Sequence, residues 1–197
     1  MGGVLLRTID PSPREALARD YGVTTKELFN IIFTSDSSQK AESGNLSEED
    51  HWNWAFETLG VKVEDRASFL SQWWAGDRMD YELLAFINNL RPACKTGLLS
   101  NAWLSTRDNI AKHWGGLEQY FDVAVFSAEV KMRKPAPEFF HWLLDRLQVK
   151  PQEAIFVDDY GVNIEAAKAL GMVAIKFCSA DQAKQDILDA LNHTSHS

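Results

Sequence analysis

The chain has 197 residues, of which 45% are hydrophobic and 24% charged, the balance of a soluble globular protein long enough for one cored domain and a sizeable insert. A formal net charge of −8 and a pI near 5.1 oppose non-specific attraction to nucleic acid or to an anionic membrane. Its two cysteines, Cys94 and Cys178, stand in or beside apolar runs, which fits buried reduced thiols better than a disulfide framework or a zinc site, so a cytoplasmic location is the default expectation.

Met1 to Leu6 is apolar for only a few residues, lacks a basic lead and is followed by Arg7, Asp10 and prolines, so it reads as neither signal peptide nor membrane span. From Pro11 to about Asp80 the periodicity is helical. Ser12-Pro13-Arg14-Glu15 and Thr24-Thr25-Lys26-Glu27 each match a capping box. After Ser47-Glu48-Glu49-Asp50, the residues Trp52, Ala55, Phe56 and Leu59 recur at helical spacing until Gly60 ends the helix. Asp65 is expected to cap another helix bearing Phe69, Leu70, Trp73 and Trp74. Ser35 to Asn45 reads as a polar, flexible loop, and no strand is predicted in this stretch. Residues 12–78 are therefore expected to form a small all-helical unit whose aromatic stripe is core, with one ring of the Trp73–Trp74 pair free to face a ligand.

Beyond Asp80 strands and helices alternate. Leu83, Leu84, Ile87 and Leu90 mark a helix closed by Pro92, and Lys95-Thr96-Gly97-Leu98-Leu99 is a short strand ending in Ser100-Asn101. A helix from about Thr106 to Gly115 and a strand Val123–Phe126 come next, then a polar loop from Ser127 to Lys134. Phe139, Phe140, Leu143, Leu144 and Leu147 are strongly helical in period. Ala154-Ile155-Phe156-Val157 is an uninterrupted apolar strand running into Asp158-Asp159, and Gly161 opens a helix that Gly171 stops. Val173–Phe177 is the last strand, a helix begins near Asp181, and His193 to Ser197 is expected to fray. Such alternation predicts an α/β fold: a doubly wound parallel Rossmann-like sheet with helices on both faces, built from residues 1–11 and 79–197.

Three strand ends carry polar groups. Two adjacent carboxylates in a sheltered crevice repel each other unless a cation or donors answer them, and a hard ion such as Mg2+ is the usual answer. A helix cap is the plainer reading of Asp158-Asp159, as a turn is of Ser100 and a solvated surface is of Lys134. Taken together, a hydroxyl, a positive point charge and a cation site at successive strand ends are the groups that a phosphoryl anion needs.

In this order the chain resembles the haloacid dehalogenase superfamily, a group of mostly Mg2+-dependent phosphatases. Leu98-Leu99-Ser100-Asn101 looks like its second motif, Lys131-Met132-Arg133-Lys134-Pro135 with Glu138 its third, Val157-Asp158-Asp159 with Asn163 its fourth, and Gly2-Gly3-Val4-Leu5 the tail of its first. The likeness runs from Gly2 to about Phe177 and is nearest to the sugar-phosphate and epoxide-hydrolase-associated phosphatase branch. It implies hydrolysis of a small phosphorylated metabolite through an aspartyl-phosphate. Ser100 and Lys134 would be catalytic, Ser100, Asn101 and Lys134 would hold the phosphoryl group, and Asp159 would ligate Mg2+. Asp158 would support that ion from behind, the Gly2 backbone would border it, Asn163 would order the loop, and residues 12–78 would be the cap that excludes water and selects the substrate.

One departure accompanies the match. In the family, the attacking aspartate closes a central strand two residues before the position matched by Gly2, a place that falls before Met1. The 197 residues are therefore expected to lack the first strand and the nucleophile, to be inactive by themselves, and to be weakly stable, self-associating or gapped where that strand belongs. The alternatives are a non-catalytic phosphate- and metal-binding or scaffold protein, and a metal-free haloacid dehalogenase. The paired aspartates favour the phosphatase over the dehalogenase. The expected partner is a small phosphorylated substrate, with no nucleic acid and no membrane, and the sequence leaves the oligomeric state open.

Overall fold

The computed structural model describes residues 1–117 and 119–194, so residues 195–197 of the expected frayed tail lie outside the described residues. The chain enters through an antiparallel pair. Strand β1 (Leu6–Thr8) lies along β2 (Asp77–Met79) with Leu6 opposite Met79 and Thr8 opposite Asp77, so the helical stretch between them leaves and returns at one place. The sequence predicted no strand between Pro11 and Asp80, where β2 falls. A three-residue strand is too short for alternation to register, and here burial falls on Asp77 and Met79 alike because Arg14 Nη2 (2.8 Å) and Thr8 Oγ1 (2.7 Å) satisfy the Asp77 carboxylate.

Helices α1 (Ser12–Asp20), α2 (Thr25–Phe29), α3 (Asp36–Glu42), α4 (Glu48–Leu59) and α5 (Arg66–Trp74) occupy the stretch between, with a π-helical turn at Asn30–Thr34. The Thr24 capping box forms: Glu27 N donates to Thr24 Oγ1 (3.1 Å) and Thr24 N to Glu27 Oε2 (2.8 Å). The Ser12 box does not. Pro11 already has a φ of −77°, so the helix starts at Ser12, whose amide donates to Asp10 Oδ1 (3.0 Å) instead. Asp65 likewise ends a 3-10 turn without capping α5. Helix α3 replaces the predicted polar loop. Its buried face is Ser38, Ala41 and Glu42, too small and polar to show as an apolar stripe, and Ser35 caps it through Ser38 N (3.1 Å).

These helices close around Leu17, Leu28, Ile32, Phe56, Phe69 and Trp73, joined by Trp103 from beyond the helical stretch. Trp73 is buried with the Arg14 guanidinium 4.1 Å over its ring, and Trp74 packs on Phe33 at 5.9 Å, so both rings of the pair belong to this cluster.

The remainder runs α6 (Tyr81–Leu90), β3 (Gly97–Ser100), α7 (Thr106–Trp114), β4 (Val123–Phe126), α8 (Ser127–Val130), α9 (Pro137–Leu147), β5 (Ile155–Asp158), α10 (Gly161–Ala169), β6 (Val173–Lys176) and α11 (Ala180–Thr194). The short α8 stands where a loop was predicted, held at its start by Phe126 N donating to Glu129 Oε2 (3.1 Å). Strands β3 and β4 are parallel with Leu99 opposite Val125, and β5 and β6 are parallel with Val157 opposite Ile175. Among the described residues no ladder joins the two pairs.

Alternation sends neighbouring side chains to opposite faces. Leu98 and Phe126 pack with Leu83, Leu84, Ile110 and Phe177 on one side, while Leu99 and Val125 pack with Phe139, Phe140, Leu143 and Ala167 on the other. Each fully buried aromatic or leucine contributes about 1.5–3 kcal/mol by the usual transfer scale, so helices covering both faces hold the strand ends in place. Helix α10 stops as predicted, with Gly171 at a φ of 88° just past it. The cysteines are free thiols, but Cys178 is exposed rather than buried, because β6 ends two residues before it and the chain turns out toward α11. No helix of the described residues is long and apolar enough to cross a membrane.

Candidate active site

The carboxyl ends of β3 and β5 meet through one lysine. Lys134 is buried, and its Nζ donates to Asp158 Oδ2 at 2.6 Å and to the main-chain oxygen of Leu99 at 2.9 Å, reaching from one parallel pair to the other. The remaining oxygen of Asp158 accepts from Tyr160 N (2.7 Å) and from Asn163 Nδ2 (3.1 Å), so protein donors fill both oxygens. Burial by itself would raise the Asp158 carboxyl, yet Lys134 and the two donors outweigh it and hold that carboxyl below its ordinary value.

Asp159 is the opposite case. Half-buried, it is pushed above the ordinary carboxylate range, first by burial and next by the neighbouring Asp158. The largest influence opposing that rise is the α-amino group of Met1, whose own pKa falls to about 5, chiefly through burial and then through Lys134. A carboxylate in that state favours a cation at its side. Gly3, at a φ of 78°, makes room for it: a Cβ there would stand 2.0 Å from Asp159 Oδ2. Gly2 bridges to Leu6 beside it, and Lys176 Nζ donates to the main-chain oxygen of Asp159.

Ser100 is buried at the end of β3, its Oγ only loosely engaged with Asn101 O (3.3 Å), and so is available to an oxyanion. The Asn101 side chain is committed elsewhere. Its Nδ2 donates to Lys134 O (3.0 Å) while its Oδ1 accepts from Lys134 N (2.8 Å), a reciprocal pair that fastens the loop after β3 to the loop carrying Lys134. The Asn101 side chain thus fastens the two loops together.

Lys134, Asn101, Asp158 and Asn163 are joined by hydrogen bonds, with Ser100 and Asp159 next to them in the chain, but several neighbours went unnoticed in the sequence. Tyr160 is exposed beside the site, and its hydroxyl is raised first by burial and then by Asp159, Glu42 and Asp158. Glu42 comes from the helical stretch, 91 positions from its partner Arg133, with which it pairs at 2.9 Å. The signal for Gly3 was the Gly2-Gly3 pair itself. Nothing local signalled Glu42.

Among the described residues no three His, Cys, Asp or Glu side chains assemble for a metal ion. The donor set nonetheless suits Mg2+, which takes one or two carboxylates and fills the rest of its shell with waters and substrate oxygens. Asp159 is the carboxylate left for it once Asp158 is occupied by Lys134, Tyr160 N and Asn163.

Comparison with known proteins gives the family and the fold. A family model described as a haloacid dehalogenase-like hydrolase matches residues 48–171. The D-ribitol-5-phosphate phosphatase of Bacteroides thetaiotaomicron is 27% identical over 162 residues, covering 78% of this chain and 77% of that protein. Mouse bifunctional epoxide hydrolase 2 is 41% identical over 83 residues, 41% of this chain, and this stretch spans only 15% of that longer protein. A haloacid dehalogenase family enzyme from Bacteroides thetaiotaomicron, crystallised with magnesium and inorganic phosphate, shares the fold at a TM-score of 0.72 and 22% identity over 89% of this chain and 90% of its own. With a matched segment running from α4 to the end of α10 and a lysine–aspartate pair at the strand ends within it, this chain belongs to the haloacid dehalogenase-like hydrolases.

Proposed function

We propose that this chain is the phosphate- and Mg2+-binding body of a phosphatase acting on a small phosphorylated metabolite. The observation that carries the reading is the Lys134 ammonium spanning the ends of β3 and β5, bonded to Asp158 at 2.6 Å with Ser100 and Asp159 on either hand. Lys134 would neutralise the phosphoryl oxygens, and the Ser100 hydroxyl would donate to one of them. Asp158 would keep Lys134 charged and aimed, a task for which its own acidity is well matched. Asp159 would hold Mg2+, with the Gly2 backbone bordering that site and Asn163 fixing the loop behind it; the ion would add positive charge beside the transferring phosphoryl group.

Residues 12–78 act in this reading as the cap, closing over the cradle and shaping the space for the leaving group. Small phosphorylated compounds are the substrate class, as the names of the relatives suggest: ribitol 5-phosphate for one, fructose 1-phosphate for another and a sesquiterpene phosphate for a third.

Turnover through an aspartyl-phosphate needs a carboxylate free to attack phosphorus. Of the carboxylates at the cradle, Asp158 is filled by its donors, Glu42 is paired with Arg133, and Asp159 would be taken up by the ion. The 197 residues are accordingly proposed to bind phosphate and Mg2+ while hydrolysing esters at background rate, and a preceding strand ending in aspartate would supply the covalent step. The same observation favours the second reading, a binding protein without turnover. Hydrolysis of p-nitrophenyl phosphate separates them. Activity that appears with an upstream aspartate-bearing strand and vanishes on chelation supports the phosphatase, and an extended chain that binds phosphate but turns nothing over supports the binding protein. Activity that survives chelation on a haloacid contradicts both.

A further inference from the structure

The turn between α3 and α4 carries a carboxylate on each side, and each reaches a different loop of the cradle. Glu42, the last residue of α3, accepts from Arg133 Nη2 (2.9 Å) and Nε (3.2 Å), and Gln39 Oε1 accepts from Arg133 Nη1 (3.3 Å). Glu48, the first residue of α4, accepts from the Ser105 amide (3.1 Å) and the Ser105 hydroxyl (2.8 Å). Arg133 immediately precedes Lys134, and Ser105 closes the loop that opens with Ser100 and Asn101. At the bend, Gly44 runs so close to α8, the helix just ahead of the Lys134 loop, that a Cβ there would stand 3.2 Å from Ala128 O.

Both contacts leave the helical stretch, so its own packing does not require them. Glu42 is buried, with its carboxyl held above the ordinary range by burial against the pull of Arg133 and Lys134. A buried carboxylate accepting from two nitrogens of one guanidinium is a stiff, directional link. Asn101 already fastens the two loops to each other through Lys134, and the hairpin grips them from the other side.

We infer that the α3–α4 hairpin sets the spacing of the two phosphate loops, Glu42 acting on Lys134 through Arg133 and Glu48 acting on Ser100 through Ser105. Arg133 and Ser105 are then positioning residues of the cradle. The inference rests on the reading of Ser100 and Lys134 as the phosphate cradle, and its test has an unusual sign. As a bare charge near an anion site, Glu42 repels phosphate, and its removal would tighten binding. As part of a clamp, its removal loosens binding.

Titration calorimetry of inorganic phosphate with Mg2+ present, on the whole chain, decides between them, with the melting temperature of each variant measured alongside. Glu42→Gln is expected to weaken phosphate about tenfold, the scale of an ordinary coupling between sites, and Glu42→Asp to recover part of that loss. Should Glu42→Gln fail to fold, Glu48→Gln carries the same expectation from the other arm. Phosphate affinity that is unchanged or tighter in the folded Gln variants overturns the inference, including the case where only the melting temperature falls. Absence of phosphate binding in the parent chain, or binding undiminished in Lys134→Ala, overturns the cradle reading itself and the clamp with it.

Discussion

At the scale of single residues, the account turns on Lys134 and Asp158, whose side chains are both about 5% exposed. Breaking a buried pair from one side leaves an uncompensated charge, which costs about 3–5 kcal/mol, more than a surface ion pair is worth. Urea unfolding of Lys134→Ala is therefore expected to show a loss of that order, and a loss below about 1 kcal/mol would mean the pair is solvated. The pair also sets a pH dependence. Asp158 titrates below its ordinary 3.8, so the unfolded chain holds more protons on it than the folded one near that pH. Its stabilisation is complete above 3.8 and is lost as pH falls through its folded value, and Asp158→Asn is expected to flatten that acid limb in unfolding measured against pH. Asp159, raised by burial and by Asp158, works in the reverse sense and loses stability as it ionises, a loss that a bound cation offsets.

Ser100, Lys134, Asp158 and Asp159 could be singled out in the sequence only together, by their order and by the motifs they resemble, since each alone has a plainer reading. Glu42 and Arg133 were not, since their meaning lies in a contact across 91 positions, and an isolated glutamate on a helix is ordinarily solvated. Asn101 was half legible: the sequence placed it at the cradle, but its reciprocal bond with Lys134 is a property of the folded loops.

At the scale of elements, long periodic helices were read well and short ones poorly. Helix α9 buries Phe139, Phe140, Leu143, Leu144 and Leu147 at a spacing that only a helix satisfies. Helix α3 was missed because its inner face is polar, and β2 because three residues cannot display a period. The two capping signals, which share the Ser/Thr-x-x-Glu pattern, give a direct comparison. Thr24 donates and receives as a capping box should, so Thr24→Ala is expected to cost about 1 kcal/mol in thermal or urea unfolding. Ser12 lies inside its helix with no capping bond, and Ser12→Ala is expected to be neutral within about 0.5 kcal/mol. Equal losses at both positions would contradict the distinction.

At the scale of the whole molecule, the helical stretch joins the rest of the chain at one strand pair. The helical stretch has its own cluster around Leu28, Ile32 and Trp73, and it departs and returns at β1 and β2, where Arg14 binds Asp77, Thr8 Oγ1 and the main-chain oxygen of Trp73. Trp103, from the loop after β3, inserts its ring into that cluster and stacks on Phe33 at 5.6 Å. The fold thus ties the helical stretch to the loop after β3. The α/β alternation after Asp80 was visible in composition and period, while this linkage arises only when distant segments pack together.

The central claim is that the ends of β3 and β5 form one pocket for a tetrahedral oxyanion and its cation. A crystal structure of the chain grown with tungstate and Mg2+ tests it most directly, because tungsten is located by its own anomalous scattering. The account predicts tungstate within hydrogen-bonding distance of Lys134 Nζ and Ser100 Oγ, with Mg2+ at Asp159. Tungstate bound only at another surface, such as the arginines of the β1–β2 pair, with the Lys134 pocket holding none, would contradict it.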